Sequence, residues 1–277
     1  KYRVIGIVNI WGKYEDIRAV AQVNLDNIYY RGSKIPDLFL KLSYIDGSLS
    51  DLVNSGKLNL TELKILGDNG FNLMEADGYL DIASKEFDLK LGNDRIAIKD
   101  IEYLINEYKL KGNINLNLEA KGNLKGKIDY SLDLKSNQLN YNNILIDKVT
   151  ARVKGDEKKL KVEYVEMTYG NNMLKAQGDF DIEKNIYDFT VKAKDVDLGL
   201  FNLFLSQRVR NINGKADIDI VLKTEESFGT IELKNSGLET LDKSMILSNT
   251  NSRIELNKDG VKINSFTGGL NNGTILL

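Results

Sequence analysis

The chain has 277 residues, with 38 Lys and Arg against 40 Asp and Glu, giving a formal net charge of -2. So even a balance excludes the concentrated positive surface that phosphate backbones require, and no nucleic acid is expected as a partner. His and Cys are both absent, which removes imidazole acid–base catalysis, thiol nucleophiles, and thiolate or imidazole metal sites.

In chain order, strand-like sequence begins almost at once, with Val4, Ile5, Ile7, Val8 and Ile10. Val20–Leu25, Gly78–Ile82 and Phe87–Leu91 then alternate apolar and polar residues. Gly112–Ala120 alternates without a break: Ile114, Leu116, Leu118 and Ala120 lie between Asn113, Asn115, Asn117 and Glu119. Successive side chains of a strand point to opposite sides, so strict alternation predicts one apolar and one wet face. Lys127–Leu134 continues the pattern with Ile128, Tyr130, Leu132 and Leu134. Phe180 and Ile182 follow, then Phe189 and Val191, then Ile218, Ile220 and Leu222, and finally Ile231 and Leu233. These residues are the candidate lining of a single apolar face.

Turn residues separate the alternating runs: Asp68-Asn-Gly70, Lys154-Gly-Asp156, Tyr169-Gly-Asn-Asn172, Lys258-Asp-Gly260 and Leu270-Asn-Asn-Gly273. Such pairs mark hairpins, so neighbouring strands are predicted to be antiparallel. One Pro against 23 Gly suits strands joined by short glycine-containing turns. Two segments break the alternation, Ile98 to Leu110 and Val196 to Val209. The first spaces Ile101, Leu104, Ile105 and Tyr108 as on a helix, and the second does so with Leu198, Phe201, Leu205 and Val209. Both are predicted to be short amphipathic helices that cap the apolar face or touch a membrane surface.

The chain also resembles itself. Gly78-Tyr-Leu-Asp-Ile82 matches Gly178-Asp-Phe-Asp-Ile182, and Lys111-Gly-Asn-Ile-Asn-Leu116 matches Asn213-Gly-Lys-Ala-Asp-Ile218. The offset is about 100 residues, too long for a solenoid coil and suited to a module of several hairpins. The expected organisation is one continuous sheet of modules: 1–109 (partial), 110–211 and 212–277 (partial).

No motif carries chemistry. Asp129, Asp133, Asp179, Asp181, Asp217 and Asp219 fall on the polar sides of strands, where solvation is their simplest fate. Gly122-Asn-Leu-Lys-Gly126 lacks the phosphate-loop pattern and reads as a hairpin turn. Trp11 is expected on the apolar side. The chain is therefore read as no enzyme, with no cofactor and no metal. The expected fold is all-β with two short helices: an elongated, curled, antiparallel-rich sheet forming an open hydrophobic groove, a β-taco. An outer-membrane β-barrel and an adhesin-like domain with a closed core share the same alternation and compete with it.

Together the Gly-led strands Gly112–Ala120 and Gly214–Leu222, the stretch Gly229-Thr-Ile-Glu-Leu-Lys-Asn235, and Asp195-Val-Asp-Leu198 with Phe201 and Leu205 before Ile212-Asn-Gly214 resemble the AsmA-like repeating β-groove family, its TamB-like members most. The resemblance covers Leu110 to Leu277 best and Lys1 to Leu91 more loosely. It implies a segment, internal or C-terminal, of an inner-membrane-anchored protein working in the periplasm of a diderm bacterium. It also implies phospholipid acyl chains as cargo and an outer-membrane barrel of the TamA type as partner.

Overall fold

The computed structural model describes residues 3–27, 29–30, 33–34, 37–52, 54–66, 72–101, 110–141, 144–170, 172–202, 209–271 and 273–276. These form nineteen strands: β1 (Arg3–Lys13), β2 (Asp16–Asp26), β3 (Tyr29–Tyr30), β4 (Ser33–Lys34), β5 (Asp37–Gly47), β6 (Lys57–Leu66), β7 (Asn72–Asp81), β8 (Glu86–Ala97), β9 (Leu110–Asn123), β10 (Ile128–Tyr141), β11 (Ile144–Gly155), β12 (Lys159–Tyr169), β13 (Asn172–Asp181), β14 (Ile186–Asp197), β15 (Val209–Lys223), β16 (Ser227–Thr240), β17 (Ile246–Asn257), β18 (Gly260–Leu270) and β19 (Gly273–Leu276). All but β3 and β4, which pair with each other, belong to a 17-stranded sheet. It is antiparallel and not closed.

The order is a meander, as the hairpin turns predict. In the first of two contact units (Lys1–Glu107, Lys111–Ser136 and Lys154–Glu157) β1 pairs with β2, and the pairing continues through β5, β6, β7, β8 and β9. In the second (Tyr108–Leu110, Asn137–Val153 and Lys158–Leu277) each strand from β12 to β19 pairs with the next. The turn after β9 falls where Gly122–Gly126 places it, with Gly126 N donating to Asn123 O at 2.9 Å. Asp68-Asn-Gly70 lies outside the described residues.

The two interruptions leave the strand pattern as expected, and each opens with a 3₁₀ turn; Asn202, which follows the second, is α-helical. Ile98–Ile101 and Leu198–Phe201 are single 3₁₀ turns. Val196 and Val209 belong to strands β14 and β15, and Leu110 opens β9. Leu104, Ile105, Tyr108 and Leu205 lie outside the described residues. An apolar spacing of three serves a 3₁₀ turn as well as an α-helix, since i and i+3 eclipse there. The second turn is capped by Asp197, whose Oδ1 accepts from Gly199 N at 2.8 Å. Asn202 then takes over as a strand would: its side chain donates to Ile212 O and accepts from Ile212 N, both at 2.9 Å.

The tightest packing runs along a line of β-bulges near one end of the strands. In the first unit Asn93 faces Leu116, the register shifts, and Ile96 faces Ile114. In the second, Ala193 faces Ile218, the register shifts, and Val196 faces Ala216. Ile96, Val196 and Ala216 are 0% exposed and Ile98 is 1%. An extra residue in one strand bends it and sharpens its twist, which lets the side chains beyond the bulge turn inward. The repeat extends to hydrogen bonds. Ser136 Oγ donates to the carbonyl after Gly112, that of Asn113, and Ser236 Oγ to the carbonyl after Gly214, that of Lys215. Both serines are buried, and each hydroxyl finds its partner in that carbonyl.

Tyr169 fixes the bulge of the second unit. Its hydroxyl donates to Asp195 O at 2.7 Å and accepts from Asp197 N. Burial pushes the phenol up to about 12 from its usual 10.0. Tyr169→Phe leaves both backbone groups without this partner and is expected to cost roughly 1–3 kcal/mol in urea unfolding. Because the fold favours the neutral phenol, that contribution is complete below the unfolded pKa near 10 and is lost as pH rises through about 12. Alkaline unfolding of the wild type should therefore be steeper across this window than that of Tyr169→Phe.

Candidate apolar sheet face

Cross-strand register shows how alternation becomes a surface. In the second unit one row crosses seven strands as Met167, Leu174, Ala193, Ile218, Ile231, Ile254 and Ile263. The next row is Val165, Ala176, Val191, Ile220, Gly229, Leu256 and Val261. Phe189 faces Gly178 on one side and Leu222 on the other, Phe180 lies between Leu160 and Tyr187, and Leu233 faces Ala216 and Ser252. In the first unit, Val23, Leu40, Leu63, Ala76, Leu91 and Leu118 form one such row, and Ala21, Leu42, Leu60, Gly78, Leu89 and Ala120 form another. Ile114 and Leu116 extend this face of β9; Ile128, Tyr130, Leu132 and Leu134 share one face of β10.

Almost every candidate lining residue is half-buried rather than sealed. Val191, Ile220 and Ile231 keep part of their surface, and at β18 Val261 is 69% and Ile263 53% exposed, against 0% for Val196. Among the described residues, strands β12 to β19 contact chiefly their hydrogen-bonded neighbours, and the 3₁₀ turn Leu198–Phe201 rests on β15. Leu198 is buried there and Phe201 half-buried. Two candidates differ: Ile218 is buried, and Ile182 is exposed. Ile182 falls in the turn after β13, its N–H bonded to Lys158 O at 2.7 Å. The alternation Gly178–Ile182 outruns its strand by one residue. Trp11 also differs from expectation: in β1 it faces Arg18 and shares a side with Ile5, Ile7 and Asn9, opposite Val8 and Ile10.

The opposite face is ionic and self-neutralised. Lys215 and Asp195 meet at 2.6 Å, Lys234 and Asp217 at 2.7 Å, and Lys192 and Asp219 at 3.3 Å. The Lys234 hydrogen bond holds the Asp217 carboxyl below the usual carboxylate range, and Lys215 does the same for Asp195. A depression of about 480 Å³ on this side is lined by Lys175, Lys192, Lys194, Asp217, Asp219 and Glu232 among others. Lys192 and Asp219 pair within it, while Lys175, Asp217 and Glu232 pair with Glu166, Lys234 and Arg253 beside it. Asp129 likewise sits 2.6 Å from Lys127.

Fold and register together define an open antiparallel β-sheet protein with one apolar and one ionic face. Comparison with known proteins yields no match, whether to a family model, a curated protein or a solved structure.

Proposed function

We propose that the apolar face is a track for lipid acyl chains, and that this chain is a transport segment of the diderm cell envelope rather than an enzyme. The observation that carries this reading is the set of apolar rows crossing successive strands, in which residues such as Val191, Ile220 and Ile231 stay half-exposed while Ala193 and Ile218 are buried. Exposed apolar surface on this scale marks a binding surface. Each methylene shielded from water gains roughly 0.8 kcal/mol, so such a face offsets much of the cost of moving an acyl tail through an aqueous gap. An aliphatic lining with few fixed polar anchors binds everywhere similarly and nowhere strongly, as onward movement requires.

Two features weigh against the alternatives. A barrel needs its terminal strands to pair, and this sheet is not closed. A sealed sandwich needs the stripe as dry as Val196, whereas Val261 and Ile263 are more than half exposed. On this proposal the chain acts in the periplasm as part of an inner-membrane-anchored protein, with an outer-membrane barrel of the TamA type as partner. These particulars rest on the resemblance to AsmA-like proteins.

Protein purified without detergent should carry phospholipid detectable by mass spectrometry. Leu118→Asp and Ile220→Asp each deprive the tail of about two methylenes' worth of contact, so bound lipid should fall about tenfold. Gently purified wild-type protein that carries no lipid would overturn the proposal.

A further inference from the structure

Exposure on the apolar face of the second unit falls in one direction along neighbouring strands. On β14 it runs from Tyr187 at 36%, through the half-buried Phe189 and Val191, to the buried Ala193 and to Val196 at 0%. On β15 Leu222 and Ile220 are half-buried, whereas Ile218 and Ala216 are buried. On β17 Leu256 and Ile254 are half-buried and Ser252 is buried; on β18 the exposed Val261 and Ile263 give way to the half-buried Phe266. The register sets Val196, Ala216, Leu233, Ser252 and Phe266 in one row, so the drier ends of these strands lie side by side.

The dry end is also roofed. Tyr169 belongs to β12, yet its hydroxyl reaches the β14 backbone at Asp195 and Asp197, past the intervening β13. The turn Leu198–Phe201 continues from there with Leu198 and Leu200 buried, and a Cβ on Gly199 would lie 3.1 Å from Cδ1 of Ile144 in β11. The other end of the strands carries hairpin turns whose exposed side chains are of both signs. Glu183 and Lys184 follow β13, Glu225 and Glu226 follow Lys223 after β15, and Lys258 and Asp259 follow β17. Water and charge thus border the apolar face at the hairpin turns and are shut out at the bulge line.

We propose, resting on the lipid reading above, that a phospholipid lies in the second unit with its tail along the strands, methyl end toward the bulge line and polar head at the hairpin turns. The stretch of β14 from Tyr187 to Ala193 spans roughly 20 Å at about 3.3 Å per residue, against about 15 Å for the tails of one leaflet, half a bilayer's hydrocarbon core. A lipid laid the other way would set its phosphate against Val196 and Leu200, where burial leaves no water to solvate it. At the hairpin turns a zwitterionic head meets both signs. Passage is then a sideways step from strand to strand, with the head in water throughout.

The chain has no Cys, so single cysteines can report position. Leu222→Cys, next to a hairpin turn, and Leu233→Cys, in the bulge row, are each labelled with bimane; both sites are half-buried, on the paired strands β15 and β16. The probe is phosphatidylcholine carrying a doxyl quencher either near the glycerol or near the methyl end of a tail. The glycerol-end quencher is expected to dim the label at Leu222→Cys more than at Leu233→Cys, and the methyl-end quencher to do the reverse. Leu256→Cys and Phe266→Cys repeat the comparison on β17 and β18, so that a first variant that loses its circular dichroism does not decide the matter. The opposite order, or the same ratio of quenching at both sites, overturns the proposal. Quenching by neither probe at any site removes the lipid reading itself, which keeps the two failures apart.

Discussion

Val196→Asp is expected to destabilise the second unit by on the order of 3–5 kcal/mol, read as a fall in the urea midpoint. Val196 is 0% exposed and sits just past the register shift opposite Ala216. A carboxylate there loses water and finds its neighbours' backbone groups already engaged, since Tyr169 holds the carbonyl of Asp195 and the N–H of Asp197. Val191→Asp, three register positions away on the half-exposed stripe, is expected to cost only about 1 kcal/mol, because its carboxylate reaches solvent. Stability and the proposed carriage of lipid thus separate along one strand. The bulge line holds the fold, and the stripe is free to serve another purpose. Similar costs at both sites would mean that the stripe is sealed after all.

Gly178→Ala should produce the second large effect. A Cβ at Gly178 would lie 2.3 Å from the carbonyl oxygen of Asp188 and 2.7 Å from Cα of Phe189. Backbone cannot rotate aside as a long side chain can, so β13 and β14 must separate locally. The expected cost is about 1–3 kcal/mol or more, again from urea unfolding. Gly78 repeats the arrangement, its missing Cβ 2.2 Å from Asp88 O, and Gly78→Ala should match it within the first unit. Gly260 makes the control. Nothing lies within 4 Å of its missing Cβ, and any loss from Gly260→Ala reflects its φ of +127° rather than a clash.

The faces were legible because a period of two survives any detail of twist or shape. Gly112–Ala120 announces its orientation residue by residue, and β9 presents Ile114, Leu116 and Leu118 together on one side as a result. The bulges were not legible. A single extra residue at Asp94-Arg95 or at Lys194-Asp195 leaves no compositional mark, and the buried residues include Ser136, Ser236, Thr250 and Ser252, which a search for apolar runs passes over. One signal was available: the Gly-led repeat at Gly112 and Gly214 places an equivalent buried Ser on the strand that follows, Ser136 and Ser236. The apolar spacing of the short interruptions does not tell one turn of 3₁₀ from the start of an α-helix, since the capping Asp197 fits either. Trp11 misled because β1 is apolar on both sides and its alternation therefore has no sense.

The meander also bears on how such a chain comes to fold. In each unit a strand bonds to strands close to it in sequence, so contacts span one hairpin rather than the whole polypeptide. Little loop entropy is spent before each new ladder forms, and all-β topologies are usually slow for want of that economy. Each hairpin can template the next as it emerges from a ribosome or a translocation channel, with no distant segment to wait for. Growth by accretion places the point of greatest vulnerability at the last strand added, where an unfinished ladder waits for its neighbour.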